Sequence, residues 1–520
     1  MMRFRLRDAA VGAVLGAVVA PAALAQTPGQ TTVSLRPATG PARTSVVLLD
    51  AEGPTLWATG LLSRTRDGGA TWQQADLDSL RFGRWRAYSL ETRGSRVIAG
   101  FAYATENDFR QRVDTGTGFL FSDNGGDSFR FTAPIVDRVI DSTLVYGVSR
   151  LRAYSFLTPD GAAPFGLALD ADSNVVYAAA GEAGLRRSTN GGASWQRVVL
   201  PPDTQDELRP DALNGFYVGP RSRSQSGSFN HIVYSVLFDE TGTLWAGSLL
   251  GLNVSTDRGV SWRRLTARAG ATSLPASAVQ AMREQPLDGE RNPVWIALVP
   301  AGVTAEYARA QYGVAVTRDG GLTFEQTLLG EQVFDFAFRG STVYAAAARG
   351  LFASTDGGRS WTLVRDFYDA TAPDNTVPLG ARVFQAAATA DGTLWVGTEA
   401  GLARSTDGGA SWRVFRADVP LRPERPDATQ PTVDTYAFPN PFSPALDGVV
   451  RLRFDGGDAT VRIFDFAMRL VRTLNAPGSG ERDVTWDGFD DRGVRAQNGP
   501  YFYAIERDGA TVRGKILVVE

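Results

Sequence analysis

The stretch STDGGRSW at residues 354–361 returns, with small changes, six more times along the chain. The other copies are TRDGGATW at 65–72, SDNGGDSF at 122–129, STNGGASW at 188–195, STDRGVSW at 255–262, TRDGGLTF at 317–324 and STDGGASW at 405–412. Repetition of this kind is typical of a chain built from stacked structural units. The phrase therefore decides which fold we predict.

The composition of the phrase predicts a tight turn that closes a β-hairpin. Adjacent glycines adopt positive φ without steric cost, and an Asp or Asn side chain accepts backbone N–H bonds across such a turn. We call this phrase the glycine turn. Its third position holds Asp67, Asn124, Asn190, Asp257, Asp319, Asp356 and Asp407. An amide cannot act as a general acid or base, so we interpret this position as structural rather than catalytic or metal-binding.

The aromatic residue that ends each phrase begins the next predicted strand. These residues are Trp72, Phe129, Trp195, Trp262, Phe324, Trp361 and Trp412. Their large, rigid apolar bodies suit packing against a neighbouring sheet. We interpret them as structural wedges rather than as a surface that stacks on a ligand.

Each repeat supplies four predicted strands, most clearly in the shortest one. These strands are VFDFAFR from Val333, TVYAAAA from Thr342, LFAST from Leu351 and SWTLV from Ser360. Four-stranded units repeated radially make a β-propeller. We predict an all-β chain with a seven-bladed propeller over 31–416, in which TTVSLRP from Thr31 is the extra strand that closes the ring.

The phrase resembles the Asp box, or BNR repeat, of sialidases, the sortilin ectodomain, xyloglucan hydrolases and the photosystem II assembly factor propeller. The resemblance covers roughly residues 44–416. A second recurring phrase, such as TLWVGTEAGLARS from Thr393, is similar to the strand pair of two-component-regulator propellers. Both resemblances imply a propeller.

The Asp box is best known from sialidases, and that resemblance implies an arginine triad, a Tyr/Glu nucleophile pair, an acidic Asp and an upstream Arg-Ile-Pro motif. The upstream candidate here is Leu35-Arg36-Pro37, which lacks that form. We therefore expect no enzyme and assign no catalytic residue. A glycoside hydrolase with two carboxylates stays open as the alternative, because such pairs are invisible without coordinates.

Composition excludes several classes of function. The net charge of the 520-residue chain is −3, with both signs interspersed, so we expect no nucleic-acid partner. There is no cysteine, which excludes disulfides, a thiol nucleophile and a lipobox anchor. We expect no metal and no cofactor. Lys515 is the only lysine, and we attribute this excess of arginine to nucleotide composition.

The first residues predict export. A basic start at Arg3, Arg5 and Arg7 precedes an apolar run, and Ala23-Leu24-Ala25 forms a cleavage site, so residues 1–25 are predicted to be a signal peptide. We expect no transmembrane helix in the mature chain, because no other segment has the apolar length of a span. The predicted location is the cell surface or the medium, reached through the periplasm.

A Pro-rich spacer at 417–433 separates the predicted propeller from a different C-terminal unit at 434–520. Short alternating strands between Gly and Asp turns predict a small β-sandwich there. Its PNPF at 439–442, the segment IFDFAMRLVRTL from Ile463, the turn at Trp486 and GPYFY at 499–503 resemble the immunoglobulin-like domain of the flagellar hook capping protein and type A sorting domains of the type IX secretion system. Secretion machinery is the partner that this resemblance implies. Met468 departs from the usual Gly, and Pro500 from the usual Val or Ile.

A second partner is expected at the rim opposite the glycine turns, where the connections between second and third strands and between blades are long. One such predicted connection is ATENDFRQRVDTGTG from Ala104. Long loops on one side of a rigid scaffold are common binding sites. We expect an unknown glycan or cell-envelope protein there, bound by polar residues of these loops. The candidates are Glu106, Asp108, Arg110, Arg112, Tyr154, Arg209, Tyr217, Arg221, Arg223, Tyr307 and Arg309.

Overall fold

The computed structural model describes residues 32–38, 46–59, 62–77, 86–106, 112–170, 173–267, 274–287, 291–301, 310–369, 377, 379–415, 435–438, 440–444, 449–478, 482–507 and 509–519. The predicted signal peptide and the predicted spacer lie outside these residues. The described chain is all-β, apart from 3₁₀ turns at Val139–Ser142 and Phe229–His231.

Most described strands fall into four-stranded antiparallel units, and we call each unit a blade. The chain begins with β1 (Thr32–Ala38), blade 1 with β2 (Leu49–Glu52), β3 (Thr55–Ala58), β4 (Ser63–Thr65) and β5 (Trp72–Ala75), and blade 2 with β6 (Arg86–Arg93), β7 (Arg96–Glu106), β8 (Arg112–Ser122) and β9 (Ser128–Thr132). A hairpin of β10 (Thr143–Tyr146) and β11 (Ser149–Ala153) precedes blade 3, which contains β12 (Gly166–Leu169), β13 (Val176–Ala179), β14 (Leu185–Ser188) and β15 (Gln196–Arg197). Next come β16 (Glu207–Leu208) and β17 (Tyr217–Val218), followed by blade 4 with β18 (Val233–Phe238), β19 (Leu244–Ser248), β20 (Gly251–Ser255) and β21 (Trp262–Leu265).

Three further blades follow without inserted strands. Blade 5 contains β22 (Ala278–Glu284), β23 (Val294–Val299), β24 (Gly313–Thr317) and β25 (Glu325–Thr327). Blade 6 contains β26 (Val333–Arg339), β27 (Thr342–Ala347), β28 (Gly350–Ser354) and β29 (Thr362–Val364), and blade 7 contains β30 (Val383–Ala388), β31 (Leu394–Thr398), β32 (Gly401–Ser405) and β33 (Arg413–Phe415). The four strands predicted from Val333 onward are confirmed as β26 to β29.

The first strands of the blades contact one another in a closed circle. β2 contacts β6, the contacts continue through β12, β18, β22 and β26 to β30, and β30 contacts β2 again. The first strands therefore surround a central space, and the described part of the chain forms a propeller-like ring.

The prediction that residues 31–37 close the ring is wrong. β1 does not join blade 7; it pairs antiparallel with β5 of blade 1 and with β9 of blade 2. Blade 7 and blade 1 meet instead through a shared apolar core, in which Trp72 packs edge to face on Trp395 with ring centroids 6.2 Å apart. Each of these two blades is complete within one stretch of chain, so no exchanged strand is needed to join them.

The glycine turns have the predicted internal chemistry. In the turn of blade 6, Asp356 Oδ1 accepts hydrogen bonds from Ser354 Oγ (2.8 Å) and from the Ser360 N–H (2.9 Å), and Gly357 and Gly358 have φ of 73° and 89°. In blade 2, Asn124 Oδ1 takes the same place and accepts from Ser122 Oγ and the Ser128 N–H. Carboxylate and amide are interchangeable here because both supply one acceptor oxygen to the turn.

Each turn is also held by a side chain of the preceding blade, which donates to a carbonyl oxygen of the turn. The donor and acceptor pairs are Arg64 to Gly125, Arg130 to Gly191, Tyr177 to Arg258, Arg263 to Gly321, Arg318 to Gly357, Tyr344 to Gly408 and Arg404 to Gly68. Five of these donors are guanidinium groups, which carry several N–H donors and always keep their charge. We had attributed the excess of arginine to nucleotide composition alone. That interpretation missed the role of these arginines in holding the glycine turns.

The C-terminal residues form two further antiparallel sheets. Their strands are β34 (Thr435–Phe438), β35 (Val450–Phe454), β36 (Ala459–Phe464), β37 (Leu470–Ala476), β38 (Arg482–Trp486), β39 (Gly499–Arg507) and β40 (Ala510–Val518). One sheet has the order β34-β35-β38 and the other β37-β36-β39-β40. Trp486, Phe442 and Ile516 are fully buried in their common core. Met468 has φ of 61° in a turn, a conformation that favours the usual Gly.

Candidate functional site

The antiparallel order of each blade fixes which residues face the central space at each end. A glycine turn joins the third and fourth strands, so the first strand ends on that side and begins at the opposite rim. The connections between blades and between second and third strands also lie at this opposite rim. We call it the long-loop rim.

A cavity of about 620 Å³ lies inside the circle of first strands. Aromatic side chains near the start of these strands line it toward the long-loop rim: Phe165, Tyr234, Phe334 and Phe384. Their rings pack edge to face or tilted, with centroids 5.4 Å apart for Phe165 and Tyr234 and 5.8 Å apart for Phe334 and Phe384. We call these four residues the aromatic collar.

Tyr88 extends the collar on the blade 2 side. Its ring centroid lies 5.5 Å from that of Phe165, and its hydroxyl donates a 2.7 Å hydrogen bond to Asp114 Oδ1. Burial raises the pKa of Tyr234, and the nearby charges of Glu182 and Asp114 add to that effect. The collar therefore combines apolar ring faces with carboxylates at its edge.

A charged cluster lies farther along the first strands. Glu91, Arg283 and Asp335 line the cavity, and Arg283 Nε contacts Asp335 Oδ1 at 3.0 Å. Asp335 holds the pKa of Arg283 well above its usual range. The Arg283 guanidinium is therefore already engaged in an ion pair with the buried carboxylate of Asp335.

Glu91 of this cluster and the neighbouring Asp50 both have raised pKa values. Burial raises the pKa of Asp50 to about 6, although Arg283 and Thr92 act against it. The Thr92 N–H (2.6 Å) and hydroxyl (2.8 Å) both donate to Asp50 Oδ2. Burial and then the charge of Asp50 raise the pKa of Glu91 to about 8. At neutral pH, Glu91 is mostly protonated and Asp50 mostly ionised.

Among the sequence-predicted rim residues, the structure places Arg223 beside the collar edge. Its Nε contacts Glu182 at 2.6 Å, and its Nη2 donates to the carbonyl of Asp160 at 3.3 Å. The carbonyl of Tyr154 accepts a 2.7 Å hydrogen bond from Arg197, so Tyr154 belongs to the wall of blade 3.

The other rim candidates do not gather around the cavity mouth. Arg209 forms an exposed ion pair with Asp211 at 2.9 Å, Tyr217 lies in β17, and Arg221 donates to the carbonyl of Gln225. Glu106 and Arg112 are cross-strand partners at the end of β7 and the start of β8. Asp108, Arg110, Tyr307 and Arg309 lie outside the described residues.

The connection predicted from Ala104 is shorter than expected. Residues 104–106 and 112–118 belong to the long antiparallel pair β7 and β8, which leaves 107–111 as the connection. The composition of this segment is polar, but cross-strand pairing extends blade 2 well past the length of the other blades. Polar composition predicts a loop over 104–118, but residues 104–106 and 112–118 pair as strands.

Sequence reasoning missed the collar and the buried charges because it considered only the loops. The signal is in and just before the first strands: Phe165, Tyr234, Phe334 and Phe384 each come two residues before another apolar residue. Aligning the first strands with one another would have placed these side chains on one face.

Two negative findings apply to the described residues only. In these parts of the chain, no three His, Asp or Glu side chains are placed to hold a metal ion together. No helix in the same residues has the length and apolar character of a membrane span.

Comparison with known proteins assigns the C-terminal unit. The model of the FlgD Ig-like domain matches residues 447–510, so the chain carries an Ig-like domain of this type at its C-terminus. No curated protein matches the chain.

Solved structures with a similar arrangement include propeller proteins of different kinds. PorZ, described as an essential surface component of the type-IX secretion system of Porphyromonas gingivalis, is 14% identical with a TM-score of 0.41, over 92% of this chain and 66% of PorZ. YCF48 from Cyanidioschyzon merolae is 16% identical with a TM-score of 0.40, over 71% and 97%. The GH74 xyloglucanase from Xanthomonas campestris is 14% identical with a TM-score of 0.47, over 93% and 69%.

Proposed function

We propose that this chain is an exported, non-catalytic binding protein, built as a seven-bladed Asp-box propeller over 31–416, that binds a glycan at the long-loop rim. The aromatic collar carries the proposal. Flat aromatic faces stack on the apolar faces of sugar rings, and carboxylates beside them accept hydrogen bonds from sugar hydroxyls. Phe165 and Tyr234 with Glu182 at their edge offer both kinds of contact.

The test is a screen of the purified chain on glycan and cell-envelope arrays. We expect a restricted set of glycans to bind, and we expect Tyr234→Ala to remove that binding. Phe466→Ala is the matched control, because Phe466 is an aromatic residue of the C-terminal unit that is 74% exposed. Binding that survives Tyr234→Ala unchanged would place the ligand elsewhere.

A glycoside hydrolase is the second candidate, and one observation favours it. A protonated Glu91 and an ionised Asp50 are the protonation states of a general acid and a general base. Against it, Asp50 accepts hydrogen bonds from Thr92 and Ala51 on both oxygens, and Arg283 is committed to Asp335. Glu91→Gln separates the two accounts. If the chain is a hydrolase, this substitution abolishes hydrolysis; if it is a binder, glycan binding at the collar is unchanged.

The C-terminal unit at 434–520 is proposed as the export address, joined to the propeller by the spacer at 417–433. Residues 1–25 would direct the chain across the inner membrane, and the Ig-like domain would then direct it through type IX secretion to the surface. The Ig-like match supports a separately folded unit.

A further inference from the structure

A second cavity, of about 770 Å³, lies along the outer edge of blade 3 and away from the collar. Residues 143–147 of the β10 hairpin form one wall, and residues 192–199 around β15 form another. In the described part of the chain, neither β10 nor β15 has a strand on its outer side. Two unpaired strand edges therefore border this cavity.

Other blades of the same molecule carry an added antiparallel strand at the equivalent edge. β1 pairs with β5 and β9, and β16 pairs with β21. In each case an apolar residue of the added strand lies opposite the aromatic residue of the glycine turn. The pairs are Ala38 with Trp72, Val33 with Phe129 and Leu208 with Trp262.

Blade 4 illustrates how the added strand is anchored. Arg264, two residues after Trp262, donates from Nη2 to the Asp203 carbonyl (2.7 Å) and from Nε to the Gln205 carbonyl (2.9 Å). Its Nη2 also contacts the carboxylate of Asp206 at 3.2 Å. The segment leading into β16 thus satisfies a guanidinium that is only 6% exposed.

Blade 3 has the same arginine without the same partners. Arg197 lies two residues after Trp195, and its Nη2 is bound to Asp137 and to the Tyr154 carbonyl. Its Nη1 is buried and has no hydrogen-bond partner. A buried donor without an acceptor is costly, so this edge is incomplete where blade 4 is complete.

The lining of the cavity is complementary to an acidic, partly apolar segment. Its side chains include five arginines and two aspartates; Arg138 is already paired with Asp141, and Arg258 with Asp170, which is not part of the lining. One of these aspartates, Asp137, is already shared between Arg186 and Arg197, and the Nε of Arg187 is buried without a partner. Val145 and Val260 line the cavity with side chains 75% and 50% exposed, which offers apolar contact at its rim.

We propose that β15 accepts an extended acidic segment of a partner protein as an added antiparallel strand. Strand addition of this kind derives affinity from main-chain hydrogen bonds and specificity from alternate side chains. In the register of β16 with β21, Glu207 lies opposite Arg263 and Leu208 opposite Trp262, so by this precedent the segment carries an acidic residue directly before an apolar one. The acidic residue lies opposite Gln196, on the face of the sheet that carries Arg187. Its carboxylate contacts Arg187, and the apolar side chain covers Trp195.

The probe is a labelled synthetic peptide with the sequence DTQDEL of residues 203–208, titrated onto the full chain and followed by fluorescence anisotropy. We expect saturable binding that weakens at least tenfold in Arg187→Glu. The control Arg359→Glu makes the same charge change at an exposed turn position and leaves binding unchanged. A peptide with its acids replaced by amides, NTQNQL, binds at least tenfold more weakly.

Hydrogen exchange locates the peptide independently of affinity. We expect the added strand to protect backbone amides of 195–199 and 143–146. If Arg187→Glu lowers thermal stability, Arg187→Gln replaces it, with a loss of at least threefold expected. No saturable binding at millimolar peptide, equal binding to the Arg187 variant, or protection only at the collar would each overturn the proposal.

Discussion

Nη1 of Arg404 in blade 7 donates a hydrogen bond to the carbonyl oxygen of Gly68 in blade 1, 336 residues away in the sequence. This contact is one of seven in which a side chain of one blade holds the glycine turn of the next. It is also the one that joins the two ends of the ring. No strand is exchanged between blades 1 and 7, so this contact closes the ring together with the shared apolar core and two backbone hydrogen bonds, from the Val46 N–H to the Thr398 carbonyl (2.9 Å) and from the Ala390 N–H to the Gly53 carbonyl (2.7 Å).

Arg404→Gln should therefore destabilise the ring. Losing a charged donor to a partly buried carbonyl costs about 1 to 3 kcal/mol, which thermal unfolding would register as a lower midpoint. Arg359→Gln is the control, since Arg359 is exposed at its turn. Equal midpoints for the two variants would mean that the apolar core around Trp72 and Trp395 and the backbone hydrogen bonds close the ring without this guanidinium.

The second glycine of each turn has a packing role besides its backbone conformation. A Cβ on Gly358 would lie 2.7 Å from the ring of Trp295, whereas a Cβ on Gly340, also at positive φ, would meet no atom within 4 Å. Strain at positive φ costs roughly 1 to 3 kcal/mol at either site. We expect Gly358→Ala to lower the unfolding midpoint clearly more than Gly340→Ala. Similar losses would show that backbone strain, not contact with the tryptophan, requires glycine.

The raised pKa of Glu91 predicts how stability varies with pH. The folded chain holds a proton on Glu91 up to about pH 8, whereas the unfolded side chain releases it near its ordinary pKa of 4.5. The stabilisation by Glu91 is therefore fully present below pH 4.5 and is lost as the pH rises from 4.5 to about 8. Denaturant unfolding at pH 5 and pH 8 should show a smaller decline in Glu91→Gln than in the parent chain. A decline of the same size in both would contradict the assignment.

The glycine turns and the four-stranded repeats were predictable because their chemistry is local. Adjacent glycines and an acceptor side chain fix a turn within eight residues, and the shortest repeat was divided correctly into β26 to β29. The position of β1 was not predictable, because β1 pairs with strands of two different blades, β5 and β9. Its pairing depends on residues far apart in sequence.

The candidate site was predicted less well than the fold. Loop length indicated a rim, but of the predicted rim residues with described side chains, only Arg223 lies beside the collar edge. The collar and the charged cluster arise when the first strands converge, so Glu91 and Arg283 become neighbours although they lie three blades apart along the chain. Such neighbours follow from ring closure and cannot be read from local composition.

The C-terminal unit gives a prediction about delivery. Truncation after Arg416 should leave a folded propeller in the periplasm of a host that has type IX secretion. Fusion of residues 434–520 to a signal-bearing reporter should export that reporter. Fractionation and surface protease treatment measure both outcomes. Surface delivery of the truncated chain would show that this unit is not the address.

The most direct test of glycan binding at the collar is calorimetric titration of the best array ligand into the parent chain, Phe165→Ala, Tyr234→Ala and Phe466→Ala. Removing one stacking ring should weaken binding by about 1 kcal/mol or more, which is roughly a fivefold rise in Kd. We expect this rise in both collar variants, with one site per chain, and no change in Phe466→Ala. Unchanged Kd values in the folded collar variants would contradict the account.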